Sequence, residues 1–351
     1  MKQMELKQTE ALMQKKAENA EFDSYAIYVR CDNFEHIFSS ENVNENTYFD
    51  IASCGKIFVT TPLVLQAIDA KKLHLNNTLG DFFENVPSDK KNITIRHLLA
   101  HTSGIVRHQY VNSDHDLVAN EILSHPLAYE VGKNYRYSCS GMVLLGLILE
   151  KIYGVSLENL FEEHLKKPLG YTRSRFNIQT EEENAAKCYR YESAQGMPTP
   201  WDDENIRVLR TSAGSGGQFF TLSDIIKFSK AVMDKDERLY SEDLFALSEK
   251  IHSPSCAKES RGLGWLYVDE KYSQTGDLFP LGSFGHCGHT GQSIFFNREK
   301  KLCVVILTNA TRFLNKRSGF KGYDYNLICK MRKDIHNEIL KDLSEQGLIR
   351  L

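Results

Sequence analysis

A serine and a lysine stand three positions apart in "DIASCGKIFVT", as Ser53 and Lys56. On a helix, residues i and i+3 share a face, so this spacing sets an amine one turn from a hydroxyl. A serine hydroxyl is a weak nucleophile until a base takes its proton. A lysine in water is charged and cannot be that base, but burial and nearby positive charge lower its pKa. A helix start suits such a pair. Its partial positive charge disfavours the ammonium, and its free N–H groups stabilise negative charge on the serine side. The competing account makes Ser53 an ordinary N-cap and Lys56 a solvated first-turn residue, and a bare Ser-x-x-Lys fits that equally well. The flanks favour the first account: "DIAS" and "IFVT" are small or apolar, which is not the setting of a solvated face.

Other segments carry candidate chemistry. "NYRYSCSGMVLLG" (134–146) sets Tyr137 just ahead of an apolar run, and "SFGHCGHTG" (283–291) sets His286 and Gly288 on an expected strand. Tyr135 is the rival of Tyr137; the latter directly precedes the small residues and the helix. His97 and His101 lie four apart, as metal ligands on a helix would, but "HLLAHTSG" reads better as a helix end. "WDDEN" (201–205) reads as a structural turn rather than a calcium site. Tyr189, Tyr191, Trp201 and Phe219 either line a cleft or pack; their types do not separate the two.

These residues need a scaffold. "SYAIYVRC" (24–31) and "FEHIFSS" (34–40) alternate like a hairpin. From Ser53 to about Ala70 the apolar residues fall at helical spacing. A short helix is expected over 92–105, ending at Gly104. "SGMVLLGLILEKIYG" (140–154) is a buried helix with Gly154 as its stop. An amphipathic helix follows over 156–170, with Ser156 as N-cap, and another over 221–233. Strands return at 262–268, 283–297 and 301–309, and a helix from about Tyr323 to Leu343 closes the chain. The expected fold is α/β of the α+β type: an antiparallel sheet built from both ends and flanked by terminal helices. The expected sheet domain comprises 1–62 and 258–351, with a mainly helical insertion at 63–257 and the site between them.

Composition excludes several classes. The 351 residues are 41% hydrophobic and 25% charged, ordinary for a globular chain, and a net charge of −3 does not suggest a nucleic-acid partner. "MVLLGLIL" is too short to span a bilayer. "MKQMELKQTEALMQKKAENA" lacks the apolar stretch of a signal peptide and reads as a polar helix. The expectation is a soluble, cytoplasmic protein, or an extracytoplasmic one if a leader has been removed. The eight cysteines show no C-x-x-C pair and are expected to be free thiols.

Ser53-x-x-Lys56, then Tyr137, then His286-x-Gly288 resembles the three-motif order of the serine β-lactamase and penicillin-binding-protein superfamily. The likeness is to its class C β-lactamase, D-alanyl-D-alanine carboxypeptidase and esterase branch. "LLAHTSGI", "LGLILEKIYGVSLENLFEEHLKKPLGYT", "AGSGGQFFTLSDIIKFSKAVM" and "GLGW" are similar to stretches of that family too, over roughly 24–310. The resemblance implies that Ser53 is the nucleophile of an acyl-enzyme and that Lys56 takes or relays its proton. Tyr137, as phenolate or hydrogen-bonded phenol, is the implied partner base and later protonates the leaving group. The implied oxyanion hole is the backbone N–H of Ser53 and that of His289. Cys139, His286, Cys287 and Gly288 fall in substrate-binding positions. Gly288 lets its strand lie close to substrate, and His286 donates to Tyr137 or to a substrate carboxylate, with a charge that depends on pH.

One departure matters. The family's middle motif is Tyr-x-Asn, whereas this chain has Tyr137-Ser138-Cys139. A thiol replaces an amide that bonds lysine and substrate carbonyl, which weighs against β-lactam and peptide recognition. No dedicated carboxylate base is evident, so deacylation falls to Tyr137. Cys54, Cys139 and Cys287 flank all three motifs and read as small buried residues rather than as a redox site. The expected activity is a serine hydrolase acting on a small ester or amide, esters first. D-amino-acid peptidase or weak β-lactamase activity is second, and a catalytically silent ligand- or partner-binding protein third. No metal or cofactor is expected.

Overall fold

Apolar residues alternate at both ends of the chain, and in the computed structural model those ends meet in one sheet. The structure describes residues 5–106, 110–176, 178, 184–188, 204–209, 213–317 and 324–351. Helix α1 (Lys7–Glu18) leads into strands β1 (Tyr25–Cys31), β2 (Phe34–Ser39) and β3 (Phe49–Asp50), then α2 (Thr61–Asp69). A helical stretch follows: α3 (Ile95–Leu99), α4 (His115–Ser124), α5 (Cys139–Tyr153), α6 (Leu157–Phe161) and α7 (Lys167–Leu169). Next come β4 (Arg175–Phe176), α8 (Glu204–Leu209), β5 (Gln218–Phe220), α9 (Leu222–Met233) and α10 (Glu242–Ser248). Strands β6 (Leu266–Tyr267), β7 (Phe284–Cys287), β8 (Ser293–Asn297) and β9 (Leu302–Thr308) precede α11 (Ala310–Arg317) and α12 (Tyr325–Glu345).

The main sheet has the order β2-β1-β9-β8-β7-β6, and every pair is antiparallel. Its two-residue period splits the core in two. Ile27, Val29, Val304 and Ile306 pack with Met13 of α1 and Ile328, Ile335 and Ile339 of α12. Ala26, Tyr28, Val305 and Leu307 face the opposite way, into the core shared with α2, α5 and α9. With both faces covered, β9 is buried along its whole length, which explains its unbroken apolar run. The terminal helices are also joined by a polar contact. No side chain caps α1 at Leu6. Instead Asp342 of α12 accepts from the Thr9 N–H at 2.8 Å and the Thr9 hydroxyl at 2.7 Å, a carboxylate at the positive end of a helix. A second small sheet, β3-β5-β4, joins the segment before Ser53 to the middle of the chain.

Away from Ser53, three expected elements differ in the structure. The single strand expected over 283–297 is two strands, β7 and β8, reversed through 288–292, where the Gly288 N–H donates to the Gln292 carbonyl at 2.9 Å. Gly291, at φ +117°, permits the reversal. The 262–268 strand shrinks to Leu266–Tyr267, since Gly264 at φ +82° breaks the extended run. The helix expected over 92–105 ends at Leu99, and His101 turns left-handed at φ +56° well before Gly104. Gly154 does stop α5 in the left-handed conformation, and Ser156 caps α6. All eight cysteines are free. Among the described residues, no single helix is long and apolar enough to cross a membrane.

Candidate active site

Strand β3 delivers the chain into a strained corner. Ala52 has φ +46°, a conformation that costs a non-glycine residue on the order of 1–3 kcal/mol. Asp50 holds it: its Oδ1 accepts from the Ala52 N–H at 2.8 Å. Ser53 follows on a single 3₁₀ turn (Ala52–Cys54), and Lys56 opens a π-helical turn (Lys56–Thr60) that runs into α2. Ser53 is therefore not the N-cap of a regular helix. Lys56 Nζ donates to Ser53 Oγ at 3.0 Å and to the Ser215 carbonyl at 2.7 Å. Lys56 is 0% exposed, so the solvated-face account fails, while Ser53 is half-buried. The carbonyl that holds Lys56 depends on glycine. A Cβ at Gly214 would meet the Met142 carbonyl at 2.1 Å, so only glycine lets 213–217 run between α5 and the Ser53 segment.

Tyr137 sits on the short stretch entering α5. Ser138 caps that helix by accepting from the Gly141 N–H at 3.1 Å. The Ser138 N–H in turn donates to His101 Nδ1 at 3.2 Å, and the Arg136 N–H to the His101 carbonyl at 3.0 Å. His101 thus sets the position of Tyr137, whose ring lies 4.7 Å from its own. Lys56 Nζ is 5.2 Å from the centre of the Tyr137 ring. The Tyr137 hydroxyl is sealed from solvent, with Ser53 as its polar neighbour. Burial pushes the phenol well above its ordinary pKa, and Cys139 adds to that; the nearby Ser53 and Arg261 oppose it without reversing it. Of the two ionisation states left open by sequence, the resting site holds the neutral phenol. Tyr135, the rival, is occupied: its hydroxyl donates to Glu259 at 2.6 Å and accepts from Arg261 at 2.9 Å.

His286 lies on β7, with its ring 6.0 Å from that of Tyr137. Its Nδ1 is 2.9 Å from the Cys287 carbonyl. A carbonyl can only accept, so Nδ1 carries the proton and Nε2 of the neutral ring has a bare lone pair. Burial, then Arg261 and Lys56, hold the ring well below the usual histidine pKa. The donor role expected for His286 is therefore not available in this state; Nε2, buried and unpaired, can only accept. Gly288 is required for a different contact from the one expected. A Cβ there would meet the Ile51 carbonyl at 2.7 Å and Ala52 Cβ at 3.3 Å. The glycine brings the strand end against the backbone that leads into Ser53. Ser53 and His289 consequently line one small cavity, together with Asp50, Ser215 and Gly216.

Cys139, the first residue of α5, is buried, as are Cys54 and Cys287. Cys54 Sγ lies 3.8 Å from the His286 carbonyl and Cys287 Sγ 3.8 Å from Ser293 Oγ. His97 and His101 serve different structural roles: the His97 ring closes a capping box with Thr94, at 3.0 Å from its hydroxyl. Phe219 packs with Tyr48 and Ile178. Tyr189, Tyr191 and Trp201 lie outside the described residues, as does most of "WDDEN". Sequence reasoning missed Ser215, Arg261 and Arg332, and read His101 only as part of a helix end. Arg261 is 4% exposed; its guanidinium stacks on Tyr135 and Tyr137 at 5.2 and 5.5 Å, pairs with Glu259 at 2.6 Å, and leaves Nε and Nη1 unpaired.

Known proteins share this arrangement of elements. The family model described as Beta-lactamase matches residues 10–319. A protein named as a D-alanyl-D-alanine carboxypeptidase of Escherichia coli O157:H7 is 25% identical over 304 residues, 75% of this chain and 69% of that one. The octameric penicillin-binding protein homologue from Pyrococcus abyssi superposes with a TM-score of 0.74 at 20% identity, over 98% of this chain and 78% of that one. EstCE1, a hydrolase with promiscuous acyltransferase activity, gives a TM-score of 0.73 at 19% identity, over 93% of this chain and 98% of its own. The fold is that of the β-lactamases and penicillin-binding proteins, and with the family model covering most of its length the chain belongs to the beta-lactamase family.

Proposed function

We propose that this protein is a serine hydrolase that acts through an acyl-enzyme on Ser53, with small esters as its preferred substrates. The observation that carries the reading is the fully buried Lys56 amine 3.0 Å from the Ser53 hydroxyl. In the proposed cycle the neutral amine of Lys56 takes the Ser53 proton as Oγ bonds to the acyl carbon. The N–H groups of Ser53 and His289 receive the developing oxyanion. The bond to the leaving oxygen then breaks, and the neutral Tyr137 phenol gives that oxygen its proton and regains one from Lys56. Water reverses these transfers: it loses its proton to the same pair, bonds to the acyl carbon and releases Ser53.

Two features support esters over substrates with a free carboxylate. The neutral His286 brings no positive charge to the cleft. Cys139 cannot supply the paired donor and acceptor of an amide. The unpaired Nε and Nη1 of Arg261 favour a second reading, a D-peptide with a carboxylate end, in line with the name of the Escherichia coli relative. Side-by-side turnover of a p-nitrophenyl ester, a D-Ala-D-Ala peptide and a chromogenic cephalosporin tests both. The ester should turn over fastest, and Ser53→Ala should abolish it. An ester rate unchanged in Ser53→Ala would refute the mechanism, and faster turnover of the peptide would replace the first reading by the second.

A further inference from the structure

Arg332, on α12, is a fully buried cation with no carboxylate paired to it among the described residues. Burying an unpaired charge is costly, so its neutral partners must repay that cost. Nη1 donates to the Gly288 carbonyl at 3.1 Å and to the Gln292 carbonyl at 3.2 Å. Nη2 donates to Gln274 Oε1 at 3.0 Å and to the Tyr325 hydroxyl at 2.8 Å, and lies 3.6 Å from Cys329 Sγ. Gly288 and Gln292 are the two ends of the β7–β8 turn. The same turn is tied on its other side to the nucleophile segment, where Thr290 Oγ1 and Gln292 Nε2 both donate to the Asp50 carbonyl, at 2.9 and 2.7 Å.

The Gly288 carbonyl and the His289 N–H belong to one peptide group. In a trans peptide these bonds point in opposite directions. A guanidinium on the carbonyl end therefore lies directly behind the N–H end, and His289 lines the cavity that holds Ser53. Hydrogen bonds in series polarise one another, and a charge in a low-dielectric interior is weakly screened.

We propose that Arg332 is a positioning residue of the oxyanion hole. Through the Gly288–His289 peptide its charge strengthens the His289 N–H as a donor to the oxyanion, and its two carbonyl contacts fix the turn. This rests on the hydrolase reading above. The charge and the scaffold contribution are separable at Gln274. Gln274→Glu keeps the shape and sets a carboxylate against the guanidinium, cancelling its charge while preserving the contact. A residue that merely holds the fold would tolerate or benefit from that ion pair.

The test is steady-state turnover of a p-nitrophenyl ester by wild type, Gln274→Glu, Arg332→Gln and Arg332→Lys, with melting temperatures for each. Removing an oxyanion donor outright costs about 10²–10³ in kcat. Weakening one should cost about tenfold in kcat, with KM unchanged, in Gln274→Glu at an undiminished melting temperature. Arg332→Lys should retain more kcat than Arg332→Gln. Wild-type kcat in a folded Gln274→Glu would overturn the proposal, even if Arg332→Gln fails to fold. A wild-type chain without Ser53-dependent turnover would overturn it together with the hydrolase reading.

Discussion

Replacing Gly288 by alanine tests whether the β7–β8 turn and the Ser53 segment are held at contact distance for a reason. The added Cβ would sit 2.7 Å from the Ile51 carbonyl oxygen, where ordinary contact begins at 3.4 Å. The backbone must open by the difference, 0.7 Å. No rotamer relieves this, since the obstacle is main chain. Gln292 Cβ at 3.2 Å and Ala52 Cβ at 3.3 Å block sideways escape. Overpacking of this kind costs about 1–3 kcal/mol. With an unfolding entropy of about 2.1 cal/mol/K per residue, a chain of 351 residues should lose only about 1–4 °C in melting temperature. The rate effect should be larger. Misplacing a reacting group by about 1 Å can cost about 100-fold, so an opening of this size should lower kcat by about 10- to 100-fold. Differential scanning fluorimetry with ester kinetics separates the two. A Gly288→Ala protein with wild-type kcat would refute the claim that this contact sets the geometry of the site.

Lys56→Met removes a buried amine while keeping much of its volume, so stability should hold or rise while kcat falls by at least about 100-fold; a stable variant with normal turnover would exclude Lys56 as the base. Tyr137→Phe deletes one buried hydroxyl and leaves the packing of the ring in place, so thermal unfolding should shift little while ester turnover drops, and a drop in melting temperature without one in turnover would contradict its role. His286 should keep a flat imidazole NMR shift through the ordinary histidine range, because burial, then Arg261 and Lys56, hold it well below 6.5; a midpoint near 6.5 would contradict the assigned neutral tautomer. His336, buried against Ser293 at 2.9 Å, is pushed down to about 3 from 6.5. Between those values the unfolded chain binds the extra proton, so stability is intact above about 6.5 and falls as pH drops towards 3. From pH 7 to pH 5 wild type should lose on the order of 2 kcal/mol more than His336→Gln in urea titrations, and equal losses would show that this histidine is not buried neutral.

Features encoded by local pattern were legible in the sequence. The β1–β2 hairpin, the apolar helix behind Tyr137 and the one-turn spacing of Ser53 and Lys56 each follow from residues close in sequence. Reversals inside continuous alternation were not. Residues 283–297 keep strand character through a turn that only the pairing of β7 with β8 makes visible. The 3₁₀ and π turns around Ser53 were equally hidden, because they arise where Asp50 holds Ala52 in a strained conformation. Ser215 and Arg261 reach the site from distant segments and left no local signal, and the helix-end pattern around His101 did not show that its ring would meet Tyr137. Arg332 did leave one: with His336 it interrupts the apolar stripe of Ile328, Met331, Ile335 and Ile339 on the closing helix. A charged residue within a buried face implies a partner on the surface it covers.

The Ser53 hydroxyl, activated by the buried amine of Lys56, should form a covalent acyl intermediate. Mapping a fluorophosphonate adduct by peptide mass spectrometry tests it most directly. One modified peptide is expected, carrying the probe on Ser53, with labelling slowed severely in Lys56→Met. Labelling at another residue, or none at all in the folded wild-type protein, would contradict it.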